Sequence, residues 1–358
     1  MMRCPPFRYA APRTVVDAVT ILHAEGPRAT VLAGGTDVVP NLKRRQSAPE
    51  LLLSLRRVEG IRGVHEDAGG LTIGAATTLE TLAADPRVAG GPLGAILRAA
   101  AQVATPQIRA AATLGGNLCL DTRCNYYDQG LEWRKAIDFC MKAPAGTAQL
   151  TKRDPDPGVC WVAVGSPRCW AVSSTDLAPA LIALGAEVTL VAHGGTRRIP
   201  LDALYADDGM AFLTKRADEL LTAVHVPRVA GAKSTYWKLR RRGAFDFPVL
   251  GVGAHVALDG GGTVTGARLV LGAVASRPVV IDASALVGQK LTDETIDALA
   301  DAAAPKAKPL DNTDYALGWR KRVAKAFVRG ALRELRGDDP ATLGLIARRQ
   351  AALVPLQG

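Results

Sequence analysis

Near the N-terminus, apolar residues recur at Val15, Val16, Val19, Ile21 and Leu22, the spacing of an amphipathic helix over Thr14 to His23 that the Gly26-Pro27 break ends. Ala29 to Leu32 reads as a short buried strand, Val38 to Gln46 as a helix halted before Pro49, and Glu50 to Leu55 as a second strand. Gly70 to Ala75 predicts a strand, and TTLETLAAD takes helical spacing behind a threonine cap. Pro92 to Ala104 predicts an alanine- and leucine-rich helix, stopped near Thr105 because Pro106 disfavours the helical conformation of its predecessor. Further along, the pattern predicts a helix over Leu177 to Leu184, a strand over Glu187 to Ala192, a strand-to-helix step over Arg198 to Tyr205 and a strand over Glu219 to Val226. Pro227 to Lys233 reads as a linker. Beyond it lie strands Ser234 to Arg240, Val249 to Leu258 and Gly266 to Gly272, the last two joined by a glycine-rich hairpin at Asp259 to Gly262. Helical patterns follow at Ile281 to Val287, Asp293 to Ala303 and Tyr315 to Leu335, with an amphipathic stretch over Pro340 to Gly358.

These elements predict an α+β protein. The expected divisions are a small α/β lobe at 1–60, a larger one at 61–228, a C-terminal α+β domain at 233–336 and a helical tail at 337–358. A chain of 358 residues is long enough for two or three cores. It has no apolar run of roughly 18 residues, so no transmembrane span is expected. The first residues lack the apolar core of a secretory signal, so the reducing cytoplasm is the expected compartment. Net charge is +10, in knots such as Lys43-Arg44-Arg45 and Arg320-Lys321-Arg322, mostly solvated faces that also suit an acidic redox partner. Only 5% of residues are aromatic and none interleave with the basic knots, which argues against nucleic acid.

The chemistry concentrates between Thr113 and Asp176, which holds five of the six cysteines and three of the five tryptophans. Two glycine turns, Gly34-Gly35 beside Thr36 and Gly115-Gly116 beside Thr113, are able to clasp a pyrophosphate with backbone amides; alone, either serves equally well as a tight strand-helix turn. Cys124, Cys140, Cys160 and Cys169 are separated by 15, 19 and 8 residues, neither zinc-ribbon spacing nor the close ferredoxin run. In a cytosolic chain such cysteines point to metal or catalysis before disulfides. The residues leave iron-sulfur, zinc and plain reduced thiols open, with Tyr126, Tyr127, Trp133, Phe139, Trp161 and Trp170 available as a shield. Asp176 reads either as a carboxylate at a helix N-terminus or as an acceptor for a ribose or another polar ligand group. Lys238 reads as a solvated charge or, facing inward, as a stabiliser of a reduced anionic flavin. No hydrolase triad, HExxH motif or histidine cluster occurs, and no residue stands out as a catalytic base.

Taken in order, VLAGGTD at 31–37, IGAATTLETL at 73–82, PQIRAAATLGGNL at 106–118, STDLAPALIALGA at 174–186 and YWKLRRRGAFDFPVLGVGA at 236–254 resemble the FAD-binding middle subunits of the molybdenum hydroxylase (xanthine dehydrogenase) family. The resemblance implies the vanillyl-alcohol-oxidase-type FAD fold of two α/β subdomains, followed by a C-terminal antiparallel sheet with helices. It implies FAD held by Leu32, Ala33, Gly34, Gly35, Thr36, Asp37, Val38, Ile73, Ala112, Thr113, Gly115, Gly116, Asn117, Asp176 and Lys238. The cysteine loop at 119–170 is similar to that of 4-hydroxybenzoyl-CoA reductase β subunits, and also to that of bacterial aldehyde oxidoreductase flavoprotein subunits. That likeness implies a [4Fe-4S] cluster on Cys124, Cys140, Cys160 and Cys169, with Cys119 an extra thiol near the flavin.

The implied partners are a molybdopterin-binding large subunit that does the substrate chemistry and a small subunit with [2Fe-2S] clusters, in a dimer of heterotrimers served by ferredoxin or another carrier. In a reductase, electrons would travel inward through cluster and flavin to remove a para-hydroxyl group as water. In an aldehyde or N-heterocycle dehydrogenase they would travel outward. A stand-alone flavin oxidase would need a base of its own, which the sequence does not offer.

Overall fold

The computed structural model describes residues 3–142, 158–339 and 342–343. The helix expected over Pro340 to Gly358 and most of the 141–159 excursion lie outside the described residues.

The chain starts with three parallel strands, β1 (Arg8–Ala10), β2 (Ala29–Leu32) and β3 (Leu51–Ser54), ordered β1-β3-β2. Thr14 caps the Val15–Glu25 helix by accepting from the Asp17 amide at 3.0 Å, and the helix buries Ala18, Val19 and Leu22 against Leu53. A five-stranded antiparallel sheet follows, from β4 (Val64–Asp67), β5 (Gly70–Gly74), β6 (Glu187–Ala192), β7 (Gly195–Pro200) and β8 (Leu220–Pro227), ordered β4-β5-β8-β6-β7. Its core faces the Gly94–Gln102 and Leu177–Ala183 helices, the second of which is buried at every position.

The C-terminal sheet is antiparallel too: β9 (Ala232–Leu239), β10 (Leu250–Leu258), β11 (Val264–Gly272) and β12 (Val279–Ile281), ordered β12-β11-β10-β9. One face carries the Asp293–Ala303 and Leu317–Arg336 helices over a core that includes Val252, Ala254, Phe327 and Leu332. The other face lies on the 177–183 helix, and Tyr236 and Val270 enter the core of the middle sheet.

Several expectations are revised. The helix expected over Ile281 to Val287 is instead the end of edge strand β12 and a 3₁₀ turn over Ser284–Leu286, because Asp282 accepts from the Ser284 amide at 2.9 Å and turns the chain. The strand-to-helix step expected at Arg198 to Tyr205 is found, as the end of β7 followed by a 3₁₀ turn over Leu201–Leu204. β1 and β4 escape the pattern, since β1 is three residues long and only Val64 of β4 is buried.

His255 on β10 sits in register between Ser234 and Arg268, is 6% exposed, and its Nδ1 has no partner. Burial first, and Arg268 second, push it down from 6.5 to about 4. A depressed histidine contributes stability that is complete above pH 6.5 and lost as pH falls through 4, because the unfolded chain takes up the proton first. Chemical unfolding of the wild type at neutral pH and near pH 4 should therefore show a loss roughly 2 kcal/mol larger than that of a His255→Gln variant.

Candidate functional site

Between the parallel sheet and the middle sheet lies a cavity of about 790 Å³, a size suited to a large organic cofactor. The Ala33–Asp37 turn and the Ala112–Asn117 segment line it from two sides. These turns interlock: a Cβ at Gly34 would run into the Ala111 carbonyl oxygen, one at Gly115 would stand 2.9 Å from the Ala75 Cβ, and Gly35 takes φ 74. Expected as a turn, residues 114–118 form a short helix capped by Thr113, whose Oγ1 accepts from the Gly116 amide at 3.1 Å and keeps its own proton to donate.

Asn117 joins the cavity lining to the neighbouring turn. Its Oδ1 accepts from Thr175 Oγ1 at 2.6 Å and the Leu177 amide at 3.1 Å, fixing the glycine turn to the 174–177 turn. Asp176 borders the cavity but makes no capping bond; its two oxygens accept from Tyr236 Oη at 2.8 Å and Lys238 Nζ at 2.9 Å. Lys238, also read as a solvated charge, is wholly buried and donates to the Gln102 carbonyl at 2.9 Å as well. Burial pushes the Asp176 carboxyl up and the Lys238 ammonium down, and their attraction opposes both shifts. Leu32, Ile73 and Lys238 therefore stand behind the cavity wall, whereas Ala33 to Val38, Ala112, Thr113, Gly115, Gly116, Asn117 and Asp176 line it.

Sequence reasoning named no site residue in two lining segments. Arg123, 6% exposed, pairs with Asp37 of the first glycine turn, stands 3.6 Å from Asp128 and lies 4.6 Å over the Phe247 ring, with its Nε free of any partner. Phe245, Asp246 and Phe247 belong to a C-terminal-domain loop that closes one wall. The signal available was Arg123 adjoining Cys124 and the phenylalanine pair in RRRGAFDFP.

The insertion gathers its cysteines beside the cavity. Cys124, Cys140, Cys160 and Cys169 are all buried in one apolar cluster with Tyr127, Phe139, Met141 and Ala171, and none is in a disulfide. Tyr126 and Trp170 pack against the cluster, while Trp133 and Trp161 are 43% and 37% exposed. Burial pushes Cys124 up to about 12 and Cys169 up to about 11, while backbone N–H groups of Tyr126 and Tyr127 at the first, and of Ala171 at the second, favour the thiolate. Four buried sulfurs drawn from separate segments, with the Ala171 amide donating to Cys169 Sγ at 3.4 Å, are a donor set of the kind an iron cluster would take. Among the described residues, no three His, Cys, Asp or Glu side chains come close enough to share a single ion. Cys119 lines the cavity itself.

Residues 5–229 match the family model described as the FAD binding domain in molybdopterin dehydrogenase, and residues 234–335 the CO dehydrogenase flavoprotein C-terminal domain. The chain belongs to this family of FAD-binding oxidoreductase subunits. It is 32% identical over 317 residues to the aldehyde oxidoreductase FAD-binding subunit PaoB of Escherichia coli, covering 87% of this chain and 93% of that one. It is 27% identical over 331 residues to the carbon monoxide dehydrogenase medium chain of Hydrogenophaga pseudoflava, covering 92% and 96%. A crystal structure of carbon monoxide dehydrogenase from that organism superposes with a TM-score of 0.73 at 27% identity, over 93% of this chain and 98% of that one. No helix among the described residues is long and apolar enough to cross a membrane.

Replacing Gly34 with Val should displace the interlocked turns and weaken flavin retention at least tenfold, roughly 1.4 kcal/mol, read as flavin absorbance per protein after gel filtration. Lys238→Met should lower stability by about 3–5 kcal/mol in thermal or urea unfolding, because it leaves the Asp176 carboxylate buried without its cation.

Proposed function

We propose that this chain is the electron-transfer subunit of a molybdenum hydroxylase-type complex, with FAD in the interlocked-turn cavity and a [4Fe-4S] cluster on Cys124, Cys140, Cys160 and Cys169. One observation carries it: four cysteines spread from 124 to 169 come together in a single buried cluster adjoining the cavity wall. A cubane takes each thiolate at a separate iron corner, so its ligands stand wider apart than those around one ion, which agrees with thiols that share a cluster without converging on a point. Bound FAD exchanges electrons in pairs or singly, and the cluster passes them one at a time. The chain's own residues hold these groups in place and keep water from the sulfurs.

The partners in this reading are a molybdopterin-binding large subunit and a [2Fe-2S] small subunit. The identity to the aldehyde oxidoreductase subunit favours an aldehyde as the partner's substrate, with electrons leaving through this chain to ferredoxin or another acceptor. The second reading, 4-hydroxybenzoyl-CoA reductase with current running inward, rests on the WRKAIDFC and CWAVSSTD stretches.

The complex purified with its partners should show flavin bands and about four irons attributable to this chain. Cys140→Ser or Cys160→Ser should remove most of that iron and leave the flavin; unchanged iron in both variants would sink the ligand assignment. Reduction of the flavin by an aldehyde, against its failure to respond to a 4-hydroxybenzoyl thioester with reduced carrier, separates the two readings.

A further inference from the structure

Lys142, two residues after Cys140, is 7% exposed yet sits among polar partners. Its Nζ donates to Asp121 Oδ1 at 2.6 Å, the Gly209 carbonyl at 2.9 Å and the Thr122 carbonyl at 3.2 Å, and contacts Thr122 Oγ1. The rings of Tyr127 and Phe212 stand 4.7 and 5.5 Å away. A lysine nitrogen ringed by oxygen acceptors is an ammonium, since that form supplies three N–H donors and has no lone pair to clash with them.

These acceptors lead in two directions. Asp121 belongs, with Cys119 and Leu120, to the cavity wall. Gly209 lies against the cysteine cluster: its amide donates to the Cys169 carbonyl at 2.9 Å, and a Cβ on it would stand 2.8 Å from Cys169 Sγ. Lys142 is thus one residue removed from a sulfur on one side and bonded to the cavity wall on the other. Asp121, its one anionic partner among the described residues, belongs to the cavity wall, and the Gly209 acceptor to the wall against Cys169.

We infer that Lys142 is a positioning residue that locks the cavity wall to the Cys169 corner and holds a fixed positive charge beside it, making a cluster bound there easier to reduce. The inference rests on the cluster reading above and deepens it. A positive charge in a poorly solvated site lowers the energy of an added electron, whereas a purely structural staple would work equally well as a neutral donor. The two roles therefore part when the charge is removed and the hydrogen bonding kept.

The test is an EPR-monitored redox titration of the purified complex, with iron and flavin contents measured alongside, for wild type, Lys142→Met, Lys142→Gln and Lys142→Arg. Met and Gln should each retain iron and flavin while the equilibrium constant for cluster reduction falls at least tenfold, a midpoint about 59 mV more negative for a one-electron couple. Arg should stay near wild type. Loss of iron from Met and Gln but not from Arg also supports the charge requirement. Full iron with an unchanged midpoint in Gln, or in Met, overturns the inference and leaves the cluster reading standing. A wild-type complex without a four-iron signal from this chain overturns the cluster reading itself, and the inference with it.

Discussion

The Asp176–Lys238 pair is the contact on which the cavity depends. It joins the turn before the 177–183 helix to strand β9, and Lys238 also reaches the Gln102 carbonyl at the end of the 94–102 helix. Withdrawing both charges from water is costly, and their attraction, helped by the Tyr236 hydroxyl, offsets that cost only while the geometry is kept. Thr175 and Leu177, flanking Asp176, are both bound to Asn117, so the pair's position is passed directly to the glycine turn at 115–116. One ion pair thus sets where three walls of the cavity stand.

The cysteine insertion has little core of its own and is held from both sides. Arg123 and Val172 exchange backbone hydrogen bonds at 2.8 and 2.7 Å and close its base. Arg134 donates to the Arg44 and Arg45 carbonyls, and Gln46 to the Tyr127 carbonyl, fastening it to the small parallel lobe. Asn312 donates to the Trp170 carbonyl at 2.6 Å and accepts from the Asn125 amide at 2.9 Å, fastening it to the C-terminal domain. Burial pushes the Cys124 and Cys169 thiols up, so folding need not bury a charge at either of them.

How much of this was legible depended on whether the cause was local. The glycine turns, the threonine cap before the 79–83 helix and the long strands β10 and β11 are written in neighbouring residues and were readable. The pairing of Lys238 with Asp176 was not readable, because a charge pair between residues 62 positions apart leaves no periodic trace. The helix expected over Ile281 to Val287 gave way because Ile281 pairs with Leu269 as the last residue of β12 and the chain then turns at Asp282. Arg123 went unnoticed because its partners Asp37 and Phe247 come from opposite ends of the chain.

The face of the C-terminal sheet that meets the 177–183 helix is paved with glycine. A Cβ at Gly253 would strike the Pro179 carbonyl, one at Gly272 would stand 2.6 Å from Pro179 Cγ, and one at Gly251 2.7 Å from the Tyr236 hydroxyl. At these positions the sheet comes close to the helix backbone and to Pro179, while Tyr236 and Val270 reach past them into the core of the middle sheet. These glycines fix how closely sheet and helix approach, and with it the place of Asp176, the residue that opens the helix beside the cavity.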